Sequence, residues 1–249
     1  MNMILLEKED FIADDRLEFS ISGRRFEHWV KVLKCRESAK FGIAGGKTGT
    51  GTLTAKEQNR AIFTFTPENL PPAPLPITVV MALPRPQTLK KSILSAVGFG
   101  VKHLVYMGTR KVEKSYWSSP LLNKENLDSE VTLALEQAVD TVRPVIEFQP
   151  DLRQFLAGRF QEIAAGRHLI IAHPPQEGEP AVFPVFPAED EKVVILGPEG
   201  GFTPPEVELF SAQGAQKVSL GDRILKTEVA LSAILGILST GHMKPNPMI

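Results

Sequence analysis

The stretch that decides the reading is LGPEGGFTPPEVE, Leu196–Glu208. It follows the apolar run EKVVI and carries three glycines and three prolines. Its second half explains itself. Thr203 reads as a helix N-cap, Pro204 takes the first helical position, and Glu206 stands three residues after the cap. That is a capping box with proline where it is favoured. PPEVELFSAQ then reads as a helix ending at Gly214. The first half is left over. A plain strand-to-helix turn needs one glycine at most, whereas Gly197, Gly200 and Gly201 permit positive φ or close main-chain approach. GPEGG therefore reads as backbone turned toward a ligand at the carboxyl end of a strand, with a tight corner as the rival.

A second element lies downstream in SLGDRILKTEVALSAIL, Ser219–Leu235. A strand ends at Gly221, a loop brings Arg223 and Lys226, and Thr227 and Glu228 open an apolar helix. AHPP, around His173, marks a third strand end. Open α/β sheets place ligands at such ends, and the three could form one pocket.

Working outward, PENLPPAPLP (Pro67–Pro76) is the clearest boundary, because five prolines in ten residues suit neither a helix nor a central strand. Residues 1–70 before it are mostly β. RLEFSIS, GTLTA and AIFTFT are short strand-like runs, broken by one helix in GRRFEHWVKVLK. A small β-barrel fits. Residues 71–76 are the linker, and residues 77–249 alternate strands with helices. ITVVMAL, VKHLVYM, HLIIAH, KVVILG and QKVSLG read as strands. TLKKSILSAVGF spaces Leu89, Ile93 and Val97 by four, and LDSEVTLALEQAV aligns Leu127, Val131, Leu135 and Ala138. DLRQFLAGRFQEIAAG reads as one helix closed by Gly166. Such alternation predicts an α/β architecture with a mainly parallel sheet covered by helices.

Composition bounds the function. The 249 residues are 43% hydrophobic and 23% charged, ordinary for a soluble globular protein. No apolar run is long enough to span a bilayer, and MNMILLEKEDF does not read as a signal peptide. With Cys35 the only cysteine, no intramolecular disulfide is expected, and the simple reading is cytoplasmic. Net charge is −1, yet residues 24–60 hold nine Lys/Arg against three acids, and residues 85–114 hold seven against one. Two basic segments on a neutral chain suggest a bounded polyanion-binding surface. The rival is a scatter of solvated charges.

Other motifs fall away. GGKTGTG (Gly45–Gly51) resembles a phosphate loop, but the Walker pattern needs glycine where Phe41 stands and a helix where TGTLTA is strand-like. It reads as a flexible hairpin loop, with Lys47 free to touch RNA phosphate. His28, His103, His168, His173 and His242 show no ligand spacing, so no metal is expected.

The chain resembles a known family. ILGPEGGFTPPEVELF followed by VSLGDRILKTEVALSAIL is similar to the RsmE family of ribosomal RNA methyltransferases, within the SPOUT superfamily. Its pattern is G-P-E-G-G-[FL]-[ST]-x-x-E, then L-G-x-R-[IV]-L-[RK]-T-E before the last helix. HWVKVLK also looks like the family's H-x-x-R-V-L-R. The likeness spans most of the chain and is sharpest over the last 55 or so residues. It implies a PUA-like β-barrel for RNA, then a SPOUT domain with a C-terminal trefoil knot holding S-adenosylmethionine, which leaves as S-adenosylhomocysteine. It implies a homodimer and methylation of N3 of a uridine in 16S rRNA of the small ribosomal subunit, hence a part in rRNA processing and ribosome biogenesis. By position, Gly197, Glu199, Gly200 and Gly201 match the first cofactor loop. Leu220, Gly221, Ile224, Leu225, Lys226 and Thr227 match the second, and His173 and Pro174 the third. Arg85 matches an arginine at the start of the SPOUT domain. Arg223 matches the arginine of the last loop and is the candidate for stabilising a uracil anion, with phosphate binding as the rival. Arg24, Arg25, Lys31, Lys34, Lys47 and Arg85 are the candidate RNA contacts.

The chain departs from the family at three places. Gly98 replaces a glutamate, Val139 and Asp140 replace a Gly-Arg pair, and MNMILL replaces an arginine-rich start. Two other readings stand beside the first: a SPOUT enzyme with another RNA target, and a non-catalytic RNA-binding or ribosome-assembly factor on the same fold.

Overall fold

The structure is a computed structural model that describes residues 2–12, 17–174 and 183–240. It divides into two compact units, Met1–Ala73 with Val131–Arg143, and Pro74–Glu130 with Pro144–Ile249.

The first unit holds β1 (Ile4–Leu6), β2 (Glu18–Ser22), α1 (Gly23–Lys31), β3 (Ser38–Ile43), β4 (Thr48–Lys56) and β5 (Arg60–Asn69). They form one sheet in the order β1-β3-β4-β5-β2, antiparallel except for the β1–β3 pair. Its core is aromatic. Phe19, Trp29, Phe41 and Phe63 are fully buried and meet ring to ring, with Phe19 and Phe41 centroids 4.7 Å apart. Alternate inward positions of β2 and β5 supply much of it, the period-2 pattern of a one-sided sheet. Pro67 is part of β5, opposite Gly49. β2 covers β5 only over Arg60–Thr64, so at Pro67 one side of β5 is an edge and the missing amide costs no ladder bond. The GGKTGTG segment is not a loose loop. Thr48–Gly51 are strand, and the turn is tied down by Gly45 N donating to Thr141 O at 2.7 Å and Thr141 Oγ1 donating to Gly46 O at 2.6 Å.

Residues 77–249 were expected to form one block, yet Val131–Arg143 group with the first unit. The reason is a buried acid. Glu136 has 0% exposure, its carboxylate accepts from Leu5 N and from Arg24, and its carbonyl accepts from the amides of Asn2 and Met3. The MNMILL start, where the family has arginines, supplies β1 and these bonds.

The second unit holds β6 (Ile77–Ala82), α2 (Pro86–Gly98), β7 (His103–Met107), β8 (Val145–Gln149), α4 (Leu152–Ala157), α5 (Arg159–Ala164), β9 (His168–Ala172), β10 (Lys192–Leu196), α6 (Pro204–Ala212), β11 (Gln216–Val218) and α7 (Thr227–Ser239). The helix α3 runs Lys124–Ala138, and the unit boundary falls inside it. The six strands are all parallel, in the order β11-β9-β10-β6-β7-β8. β6 and β10 are buried at every position, as central strands covered on both faces must be. Val193 and Ile195 face a core with Phe155, Phe160, Phe202 and Phe210 from the α4–α6 side. On the other face, Ser92 of α2 bonds Tyr106 at 2.8 Å, and Ser95 of α2 bonds Ser232 of α7 at 2.9 Å. The single helix expected over residues 151–166 breaks into α4 and α5 at Gly158.

The second departure from the family has a backbone consequence. Asp140 N donates to Leu135 O at 3.1 Å, the closing bond of a Schellman motif after α3. Val139 therefore takes the left-handed position, with φ 57°, where glycine is usual and a β-branched residue is strained. At Gly98 there is open space where a Cβ would stand.

Candidate functional site

The strand order sets the site. β10, β9 and β11 are adjacent and parallel, so their carboxyl ends open on one edge of the sheet. The loops leaving them are His173–Pro174, Gly197–Gly201 and Ser219–Gly221. They enclose a cleft of about 310 Å³, joined by the loop before α7 and that helix's first turn.

Each loop is held by its own chemistry. At Gly201 φ is 69°, a left-handed turn residue whose amide donates to Pro198 O at 2.8 Å. At Gly197 an added Cβ would stand 3.1 Å from the Phe202 amide and ring, so the chain doubles back on itself there. Thr203 starts α6 as expected. Glu206 Oε2 accepts from Thr203 N at 2.7 Å and from Thr203 Oγ1 at 2.8 Å, which closes the carboxylate half of the capping box. Its other oxygen accepts from Arg110 N at 2.7 Å. Glu199 is drawn toward Arg85, whose amide donates to Oε1 at 3.2 Å and whose Nε lies 3.8 Å away. Lys111 donates its ammonium to Gly200 O at 2.6 Å. Behind the last loop, Lys91 pairs with Glu228 at 3.1 Å. The carboxyl of Glu228 is held below its ordinary value, first by its own helix-start amide and then by Lys91.

Eleven of the twelve expected cofactor residues line this cleft: His173, Pro174, Gly197, Glu199, Gly200, Gly201, Leu220, Gly221, Ile224, Leu225 and Thr227. Lys226 does not. It is the N-cap residue of α7 and exposed. Arg223 lines the cleft. Ile224 is 91% exposed, an apolar side chain standing free over the opening. Phe202, Val218 and Ser219 were missed, although each neighbours a glycine-marked strand end. His173 Nδ1 lies 2.7 Å from Pro174 O. A carbonyl only accepts, so Nδ1 is the donor in this bond and Nε2 is left facing away from it.

The donor set suits S-adenosylmethionine. Glycine backbone, Leu196, Leu220 and Leu225 offer an apolar slot with a few convergent polar groups, the usual makeup of a small-molecule site. Among the described residues no three His, Cys, Asp or Glu side chains gather as a metal site, and no helix is long and apolar enough to cross a membrane. His242 lies outside the described residues.

The expected RNA contacts divide. Arg25 is committed inside the first unit, paired with Asp10 and donating to Leu5 O at 3.2 Å. Arg24 pairs with buried Glu136 at 3.0 Å. Lys31 pairs with Glu27 at 2.9 Å in the open, while Lys34 and Lys47 are exposed. Arg85 stands at the cleft through Glu199.

Fold and cleft together define a class. Residues 71–239 match the RNA methyltransferase domain family. Ribosomal RNA small subunit methyltransferase E of Treponema pallidum is 27% identical over 97% of this chain and 92% of that protein. The enzyme of the same name from Synechocystis is 30% identical over 89% and 74%. The chain belongs to the ribosomal RNA small subunit methyltransferase E family. Among solved structures, that enzyme from Neisseria gonorrhoeae, bound to S-adenosyl methionine, superposes with a TM-score of 0.69 at 19% identity, covering 96% of this chain and 97% of its own. A Legionella pneumophila methyltransferase in complex with SAM gives 0.71 at 19% identity, covering 97% and 98%.

Proposed function

We propose that this protein transfers a methyl group from S-adenosylmethionine to N3 of a uridine in 16S rRNA of the small ribosomal subunit. The observation that carries this reading is the meeting of GPEGG, LGDRIL and the Ala172–Pro174 strand end in one cleft at the edge of a parallel sheet. Family membership supports the reaction class. In this reading the second unit is a SPOUT domain threaded as a trefoil knot, and the first unit is a PUA-like barrel for RNA. The protein works as a cytoplasmic homodimer.

When bound, S-adenosylmethionine supplies an electrophilic methyl group. The main chain at Gly197, Gly200, Gly201, Leu220 and Gly221 holds it, with Pro174, Ile224, Leu225 and Thr227 around it. The chain's other task is the uracil. N3 carries a proton that must leave before N3 can attack. Of the titratable side chains lining the cleft, Arg223 cannot be a base and Glu199 is tied to Arg85. His173 Nε2 is the acceptor left, and we assign it the proton. Arg223 stabilises the negative charge that develops on the uracil carbonyl oxygens. The target base must leave its stack to reach the cleft.

Calorimetry with S-adenosylmethionine and S-adenosylhomocysteine tests the site; no binding at millimolar ligand would end the reading. Mass-spectrometric mapping of the base modified in small subunits from a deletion strain tests the target. A different nucleotide would point to another RNA, and no methyl incorporation to a non-catalytic factor. Arg223→Ala and His173→Gln should keep cofactor affinity within a few fold while kcat falls by 10²-fold or more.

A further inference from the structure

The second basic segment, residues 85–114, is only partly explained by the cleft. The structure sorts its charges. Lys90 is paired with Glu130, and Lys91 with Glu228. Arg110, Lys111 and Lys114 fall instead on the loop that leaves β7, Gly108–Ser118, and all three are exposed. No acid among the described residues forms an ion pair with Arg110 or Lys114. Lys111 is spent on the neutral carbonyl of Gly200. The loop continues into a short 3-10 turn, Lys114–Ser118, that carries half-buried Tyr116 and Trp117.

This loop borders the cleft. Lys111 lies along Gly200, and the Arg110 amide is bonded to Glu206 just beyond the cofactor loop. Tyr116 is near enough to Glu199 for that carboxylate, after burial and Glu113, to push its phenol up. Cations interleaved with aromatic rings are the chemistry of a single-stranded nucleic acid site, where charge follows the backbone and rings receive bases. A free anion would be met by the cations alone and would leave the rings without a task.

We infer that the Gly108–Ser118 loop is a second RNA-contacting element, in which Arg110 and Lys114 hold phosphates beside the target nucleotide. Lys111 has a different part. It positions the cofactor loop through Gly200, so the RNA-facing loop and the cofactor loop share one support. This rests on the proposed rRNA methyltransferase reading and deepens it.

The test uses the full-length protein and small ribosomal subunits from a strain lacking the gene, with affinity measured across a salt series. Each single-strand phosphate contact adds about 0.7 to the slope of log K against log salt. Arg110→Gln with Lys114→Gln should therefore flatten the slope by about 1.4, a loss of roughly 25-fold at 0.1 M salt when extrapolated from 1 M. Calorimetry should find the cofactor affinity of this double variant within twofold of wild type. Lys111→Met should do the opposite, weakening cofactor and leaving the salt slope unchanged. An unchanged slope in the double variant, with cofactor binding intact, would overturn the inference. A wild type that binds subunits but no cofactor would instead overturn the methyltransferase reading, and the slope comparison would still decide the loop.

Discussion

Glu206→Gln isolates the carboxylate that joins helix α6 to the loop after β7. Glu206 is 6% exposed and receives three donors, Arg110 N on one oxygen and Thr203 N and Oγ1 on the other. Glutamine keeps the shape but has one acceptor oxygen and an NH2 group. Whichever way the amide turns, NH2 faces an amide N–H. The threonine hydroxyl can rotate to accept, but a main-chain N–H cannot. One charge-assisted bond is lost in a place water does not reach, a cost of about 2 kcal/mol. For a chain of this size that lowers Tm by roughly 4–8 °C. Glu206→Ala strands both amides and should cost about twice as much. Glu208→Gln, exposed on the same helix, should stay within about 0.5 kcal/mol. Urea denaturation of the three variants at pH 7 reads this directly. A Glu206→Gln protein within 0.5 kcal/mol of wild type would refute the three-donor account of the helix start.

Gly200→Val should fold normally, because an added Cβ meets only the mobile stem of Lys111, at 3.1 Å. Its cofactor affinity should nevertheless fall 10-fold or more by calorimetry, and retained affinity would show that no ligand needs that space. Gly201→Ala meets no atom but must adopt φ 69°, so it should cost about 1–2 kcal/mol in thermal unfolding. Glu147 is held at about 2, first by Arg159 and then by His103. Its folded-state value is depressed, so its contribution is full above about pH 4.5 and lost as pH falls toward 2. Glu147→Gln should therefore lower stability by about 1–2 kcal/mol at pH 6, discounted for the exposure of Arg159, and match wild type near pH 2. Val139→Gly should relieve the strained residue after α3 and gain about 0.5–1 kcal/mol in urea denaturation.

The second unit was legible because its strands are continuous apolar runs and its helices carry a 3.6-residue stripe. The cleft was legible because strand ends that must approach a ligand are written in glycine. What escaped has identifiable physical causes. β1 is only three residues long, and β8 is only half-buried. Glu136 looks like an ordinary helix acid, yet it is buried because three main-chain amides and Arg24 converge on it from more than a hundred residues away. Arg25 looked like an RNA contact because its partner Asp10, fifteen residues upstream, lies on a different element. Lys226 matched a family position, but position in a motif does not say which way a cap residue faces.

The boundary inside α3 also bears on how the chain is made. All five strands of the first unit have been synthesised by Asn69, yet the amides of Asn2, Met3 and Leu5 must wait for Glu136. By then β6, α2 and β7 have already left the ribosome. The two units are therefore nested in order of synthesis rather than serial. A fragment cut at the proline-rich segment would carry every strand of its sheet and still lack the residues that satisfy its first one.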